Sequence, residues 1–292
     1  MNTSNYLSRL TALARLKHLL TSNSCAVVLG LVSLPCVVGR AQLVVDPSFE
    51  SGLIGWTTAG DTRTVTSAYG ITPVDGNSQA LITNNELKTP APISASALET
   101  FLGLSPGSFT AAGNGTAVEG SAILQQISVT AGQTLTFSWN FATEEDVKLA
   151  PNWKYNDFSF AMIRPVGTTG DQSNISTLEN VQKLVTDIFT ANSQILPFGS
   201  PAYLDFKTGA TGYRTFSFTF PTSGNYVLGI GVLDVGPDSL SNIGNSGVLV
   251  DNVNLAPVPE PKTWSLAAGL AMCALAAVRR LRSAGRTTQA LS

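Results

Sequence analysis

Between Gln42 and Pro257 the chain has no cysteine and no histidine; Cys25, Cys36, Cys273 and His18 all lie outside that stretch. The absence excludes disulfides within it and zinc sites built from cysteine or histidine. It equally excludes acyl-transfer chemistry that needs a thiolate or an imidazole. No glycine-rich phosphate loop precedes a helix, so nucleotide chemistry has no support. Basic residues are scarce as well. Gln42 to Pro257 hold 8 Lys and Arg against 18 Asp and Glu, a formal charge of −10 that the whole-chain value of −2 conceals. Such a surface repels phosphate backbones and argues against nucleic acid as a partner.

The ends differ from the middle. Near the C-terminus, Trp264 to Val278 is an uncharged apolar run, preceded by Pro259-Glu260-Pro261 and followed by Arg279, Arg280 and Arg282. A helix over that run reaches about 22 Å, so it spans a thinned bilayer with Trp264 and the arginines at opposite interfaces. The positive end stays in the cytoplasm. The alternative is a buried helix of the globular domain, which an all-round apolar run after a proline-rich break argues against. At the other end, Arg9, Arg15 and Lys17 precede an apolar stretch from Cys25 to Val38, and Gly39-Arg40-Ala41 has small-x-small spacing. This pattern predicts a signal peptide over residues 1–41; a permanent N-terminal anchor is the other reading.

The order Pro-Glu-Pro, apolar helix, arginine cluster resembles the PEP-CTERM sorting signal of Gram-negative bacteria. The resemblance covers residues 257–292 and implies processing near Pro259-Glu260-Pro261 by a membrane-embedded exosortase. It also implies transit through the inner membrane and final residence at the cell surface or in an exopolysaccharide matrix.

The central residues 42–256 form one domain, long enough for a sizeable core. Alternation dominates them. In Thr134 to Phe141, Leu135, Phe137, Trp139 and Phe141 share one face and Thr134, Thr136, Ser138 and Asn140 the other; Phe216, Phe218 and Phe220 repeat the pattern. Further strands are expected near 43–45, 55–58, 63–66, 79–83, 121–130, 158–165, 225–234 and 247–255, with turns at Ala131–Thr134 and Thr222–Asn225. Two helices interrupt them. One has a capping box of Ser96 and Glu99; the other, of Ser176 and Glu179, runs to about Phe189 with Leu178, Val181, Val185 and Ile188 as its core stripe. The fold class is therefore all-β: a two-sheet jelly-roll sandwich with short helical insertions, an N-terminal signal helix and a C-terminal transmembrane sorting helix.

Asp46 to Trp56 (DPSFESGLIGW) and Val248 to Leu255 (VLVDNVNL) resemble the opening and closing segments of galactose-binding-like and carbohydrate-binding-module jelly rolls. In that pattern the indole of Trp56 fills the core. Glu99 to Gly107, Gly120 to Asp146, Tyr155 to Ile163 and Tyr226 to Gly236 resemble the ectodomain of a broad group of PEP-CTERM proteins. The jelly-roll resemblance implies a structural calcium held by acidic residues of the first and last strands, which here are Glu50 and Asp251. Calcium takes six to eight oxygen ligands. Asp251 is placed by alternation on the face of Leu249, Val253 and Leu255, and the alternative is that it caps a neighbouring loop by hydrogen bonds. A second candidate cation set is Glu144, Glu145, Asp146, Asn156 and Asp157, which read equally well as exposed loop charges.

Trp153 and Tyr155 can stack on a sugar ring while Asn152, Asn156 and Asp157 bind hydroxyls; plain packing of that loop is the alternative. The one hydrolytic chemistry left open is glycoside cleavage by two carboxylates, drawn from Glu144, Glu145, Asp146 and Asp157. The sequence thus points to an exported, non-enzymatic carbohydrate-binding module, with a structural or adhesive matrix protein as the alternative. Mass spectrometry of surface-extracted protein should lack peptides from Arg279 to Ser292. Their recovery intact would end the exosortase reading.

Overall fold

The computed structural model describes residues 44–85, 89–144, 156–184, 209–236, 245–256, 258 and 269–274. The signal-peptide residues, Pro259, Glu260, Pro261, Arg279, Arg280 and Arg282 lie outside that set. Residues 269–274 are helical, and among the described residues no helix is long and apolar enough to cross a membrane.

The elements run β1 (Thr57–Ala59), β2 (Asp61–Thr66), β3 (Ser78–Thr83), β4 (Ile93–Ser94), α1 (Ala95–Leu102), β5 (Ala117–Val129) and β6 (Thr134–Thr143). They continue with β7 (Phe158–Pro165), β8 (Ile175–Asn180), β9 (Gly209–Ala210), β10 (Arg214–Thr219), β11 (Gly224–Val235) and β12 (Ser246–Ala256). They form two antiparallel sheets. Sheet A has the order β1-β5-β11-β7-β8 with β4 beside β5; sheet B has the order β10-β6-β12-β3-β2 with β9 beside β6. The chain crosses repeatedly between them, so neither sheet is a local meander.

The alternation read from the sequence builds the space between the sheets. Leu135, Phe137, Trp139 and Phe141 of β6 meet Ile123 and Ile127 of β5 and Leu228, Ile230 and Val232 of β11 in one core. Phe49 and Trp56 enter the same core with ring centroids 5.4 Å apart, which places the indole where its motif predicted. A second cluster covers the outer face of sheet A. There Leu98 and Leu102 of α1, with Phe109, pack on Phe158, Phe160 and Met162.

Several local expectations are corrected. Val44 and Val45 are not a strand; the chain from Asp46 to Trp56 is a series of turns, with Phe49 N–H on Asp46 O and Trp56 N–H on Leu53 O. The first helix is capped by Ser94, whose hydroxyl accepts from Ala97 N–H, and not by Ser96. Its Glu99 turns away to bind the next loop. Ser176 and Glu179 lie in β8, paired with β7, because a sheet edge offers Ile175–Asn180 a full ladder that outweighs a local cap signal. The helical turn begins at Val181, and Asn180 Oδ1 caps it by accepting from Lys183 N–H at 2.7 Å. Leu178 and Val181 are in the core as expected; Val185, Ile188 and Phe189 lie outside the described residues.

On one flank the edge strands β8 and β10 face each other. Glu179, fully buried, accepts from Arg214 at 2.6 Å and Lys183 at 3.1 Å, and Arg214 also lies over the Trp139 ring. That ion pair joins the two sheets where no strand closes the sandwich.

Two strand glycines are required by close approach. A Cβ at Gly231 would lie 2.4 Å from the Ser121 carbonyl oxygen, whereas one at Gly229 would meet the side-chain atom Leu102 Cδ2 at 2.7 Å. Gly231→Ala should therefore cost about 2–3 kcal/mol in urea unfolding and Gly229→Ala clearly less, since backbone cannot give way as a leucine methyl can. Equal costs would contradict this packing.

Candidate functional site

Asp251 is fully buried. Its Oδ2 accepts from Val74 N–H at 2.7 Å and Asp75 N–H at 2.8 Å, and its Oδ1 from Asn252 N–H at 2.7 Å. Burial raises its carboxyl above the ordinary value, and those three amides pull the other way. A register shift between Asp251 and Asn254, with Asn252 at φ 52°, corrects the strand reading. Val253 and Leu255 turn to the inner core, leaving Asp251 outside with Leu249. Glu50 binds the same loop from the other end of the domain. Its Oε1 accepts from Asn77 N–H and Ser78 N–H, both at 2.7 Å. Gly76 allows this approach, since a Cβ there would lie 2.4 Å from Glu50 Oε1.

Glu50 and Asp251 therefore each bind amides of one strap, residues 74–78. Five N–H groups already supply the positive ends that these carboxylates need. Among the described residues no three Asp, Glu, His or Cys side chains gather as a metal site. This geometry matches the hydrogen-bonded alternative better than a cation cage.

The second acidic set is dispersed. Asp157 is fully buried, with Oδ1 accepting from Val235 N–H and Oδ2 from Asn84 Nδ2. Glu144 Oε2 accepts from Asn245 N–H at 3.2 Å and Asn245 Nδ2 at 2.8 Å. Asn156 is 5% exposed, donating to Asn114 O and accepting from Gln182 N–H. Asn156 and Asp157 are thus turned inward as structural links, which removes them as sugar contacts and Asp157 as an open-groove acid. Glu145, Asp146, Asn152, Trp153 and Tyr155 lie outside the described residues.

Sheet B presents a different surface. Alternation puts Leu81 of β3, Leu249 of β12, and Asn140 and Ala142 of β6 on its outer face. Leu249 is paired with both Leu81 and Asn140. Tyr69, Ile71, Leu81, Ala142, Ala210 and Leu249 form a buried apolar cluster, or floor, there, with Leu81 and Leu249 each 1% exposed and Tyr213 packed against it. Beyond it β6 and β10 carry only hydroxyls outward, with Thr134, Thr136 and Ser138 paired to Thr219, Ser217 and Thr215. Four side-chain atoms at the floor are buried without a hydrogen-bond partner among the described residues: the Tyr69 and Tyr213 hydroxyls, Gln79 Oε1 and Asn140 Nδ2. Burial raises the pKa of both tyrosines, so they stay neutral.

Sequence reasoning placed Asn140 on the polar face of its strand but missed Tyr69, Gln79 and Tyr213. The two tyrosines sit in loops, where no periodicity marks them.

No protein-family model and no curated protein matches the sequence. Solved structures similar to the chain include TmCBM61 in complex with beta-1,4-galactotriose, at 10% identity and TM-score 0.36, covering 74% of this chain and 99% of that one. Another is the K1 cleaved adhesin domain of Lys-gingipain from Porphyromonas gingivalis W83, at 14% identity and TM-score 0.35, covering 72% and 95%. A CBM4 structure matches at 12% identity and TM-score 0.29, covering 73% and 99%. These likenesses are remote, and the site rests on its own geometry.

Asp251→Ala should cost roughly 2–4 kcal/mol, because three amides lose their acceptor together. Glu50→Gln should retain most of the native stability, since a neutral amide oxygen still accepts from Asn77 and Ser78. Melting should be alike in millimolar calcium and in chelator. A melting temperature that collapses in chelator, with Glu50→Gln behaving like Glu50→Ala, would establish a metal tie instead.

Proposed function

We propose that this chain is an exported, non-catalytic β-sandwich that binds neutral carbohydrate. In this reading residues 257–292 act as a PEP-CTERM signal processed by an exosortase, and the domain ends at the cell surface or in the exopolysaccharide matrix. The signal peptide, the membrane transit and that location rest on the sequence of the two ends. Structural calcium at Glu50 and Asp251 is the alternative to the hydrogen-bonded clasp, and the melting comparison decides between them.

The binding half of the reading rests on one observation. On the outer face of sheet B, beside a buried apolar cluster, β6 and β10 carry outward rows of neutral hydroxyls from Thr134, Thr136, Ser138, Thr215, Ser217 and Thr219. A sugar ring has a rim of hydroxyls of the same neutral chemistry. The formal charge of −10 over Gln42 to Pro257 disfavours uronic acids and sulfated chains.

The non-catalytic half rests on how the acids are used. A glycosidase needs two carboxylates about 5–10 Å apart across an open groove. Among the described candidates, Asp157 is sealed in the interior and Glu144 is bound to Asn245. An adhesive matrix protein without a small ligand is the second reading, and the hydroxyl rows of β6 and β10 would suit its broad polar contact.

A glycan array probed with the purified exported protein should show binding to neutral glycans and little to polyuronates. Ester, peptide and phosphate substrates should not turn over. A blank array would favour the adhesive reading, and chelator-insensitive turnover would overturn the non-enzymatic one.

A further inference from the structure

The edges of the two sheets are not guarded alike. An edge strand presents unpaired N–H and C=O groups, and folded proteins blunt such edges with charge, proline, bulges or brevity. In sheet A, β1 has 3 residues, and β8 carries Glu179 and a register shift against β7. In sheet B, β2 carries Asp61 and Arg63. At the other end of sheet B, β10 has no such guard from Thr215 to Thr219: no charge, no proline and an unbroken register with β6. Its one charged residue, Arg214, is turned to Glu179. Among the described residues no strand pairs with the outer side of β10.

The ladder fixes which backbone groups face out. Phe220 N–H donates to Gln133 O at 2.9 Å, so Phe220 bonds towards β6, and alternation along an antiparallel ladder gives Phe216 and Phe218 the same direction. Thr215, Ser217 and Thr219 therefore aim their N–H and C=O groups away from β6, and all three residues are exposed. Phe216 and Phe218 alternate with them on the core side, Phe216 stacked on Phe137 at 4.8 Å. Both rings are only partly buried, because the sheet stops beside them.

This edge reads the same in both directions: Thr215-Phe216-Ser217-Phe218-Thr219 is a palindrome about Ser217. A two-fold contact between identical chains needs such a surface, in which residue i meets j and j meets i. We propose that β10 pairs antiparallel with β10 of a second copy of this chain, with Ser217 opposite the partner's Ser217. Thr215 then meets the partner's Thr219, so every outward-bonding residue faces another, and each such pair exchanges two N–H···O bonds. Phe216 meets the partner's Phe218 in a non-hydrogen-bonded pair, where side chains stand closest, and the two half-buried rings cover each other. The two-fold axis is perpendicular to sheet B, so the hydroxyl rows of both copies share one surface. Thr136 and Ser217 continue in line into the partner's Ser217 and the partner's Thr136. One strand pair buries less than a standard interface, so the dimer forms with rising concentration. The contact is independent of the carbohydrate reading.

Sedimentation velocity of the exported protein over rising concentration tests it, and the mass should move from one chain to two. Ser217→Lys and Ser217→Glu each set two like charges across the axis, at an exposed position outside the β6 ladder bonds. Each should raise the concentration of half-dimerisation roughly tenfold or more, and an equimolar mixture of the two variants should restore the dimer. Thr136→Lys, one strand in from the edge, should dimerise like the wild type. No recovery in the mixture would overturn the register. Wild-type protein that stays monomeric up to about 1 mM would overturn the dimer, and slow exchange of the Ser217 amide in that monomer would show that the chain covers its own edge. Dimers that both charge variants leave intact would put the contact elsewhere, and growth beyond two chains would contradict a closed two-fold.

Discussion

A carboxylate accepting backbone N–H groups is the interaction on which this fold most depends. Without a disulfide between Gln42 and Pro257, loops and ends need another cross-link, and acidic side chains supply it. Asp251 and Glu50 hold residues 74–78, Glu99 holds Gly107 and Phe109, and Asp157 holds Val235. Charge-assisted bonds to amides are among the stronger hydrogen bonds available, and a pair of amides on one oxygen fixes a loop in orientation as well as position. An acidic composition that first reads as a metal or catalytic signature is, in good part, a set of anchors.

Those anchors shape the two faces differently. The loop that Glu99 fixes, together with α1, seals the outer face of sheet A. Just before the strap that Glu50 and Asp251 fix, Tyr69 and Ile71 pack over one side of sheet B, and the hydroxyl rows of β6 and β10 remain outward. The outer face of sheet A is thus covered by packing, and that of sheet B is covered over its β3 and β12 side, with its hydroxyl rows left outward.

The strands were legible where burial has a period. Leu135, Phe137, Trp139 and Phe141 announce β6, and the Phe216 to Phe220 alternation announces β10, since one face of each strand meets the core. The β12 register was not legible beyond Asp251, because a bulge at Asn252 flips the alternation and no residue in VLVDNVNL marks it. Ser176 to Glu179 carried a helix-start signal, but non-local pairing with β7 made it a strand. Glu50 and Asp251 were readable as candidates from the motif; the amides that each binds were not, since backbone donors carry no sequence signature. Of the tyrosines of the floor, Tyr69 lies a few residues before those same amides, and Tyr213 follows Thr211, which is bonded to the Phe141 backbone.

Hydrogen exchange at the strap separates this account from its main rival. With chelator present, the amides of Val74 and Asp75 should exchange far more slowly than free loop amides, because their acceptor Asp251 is fully buried. Fast exchange of these two amides in chelator, slowed only by added calcium, would show that a metal ties the ends and that the carboxylate–amide clasp does not.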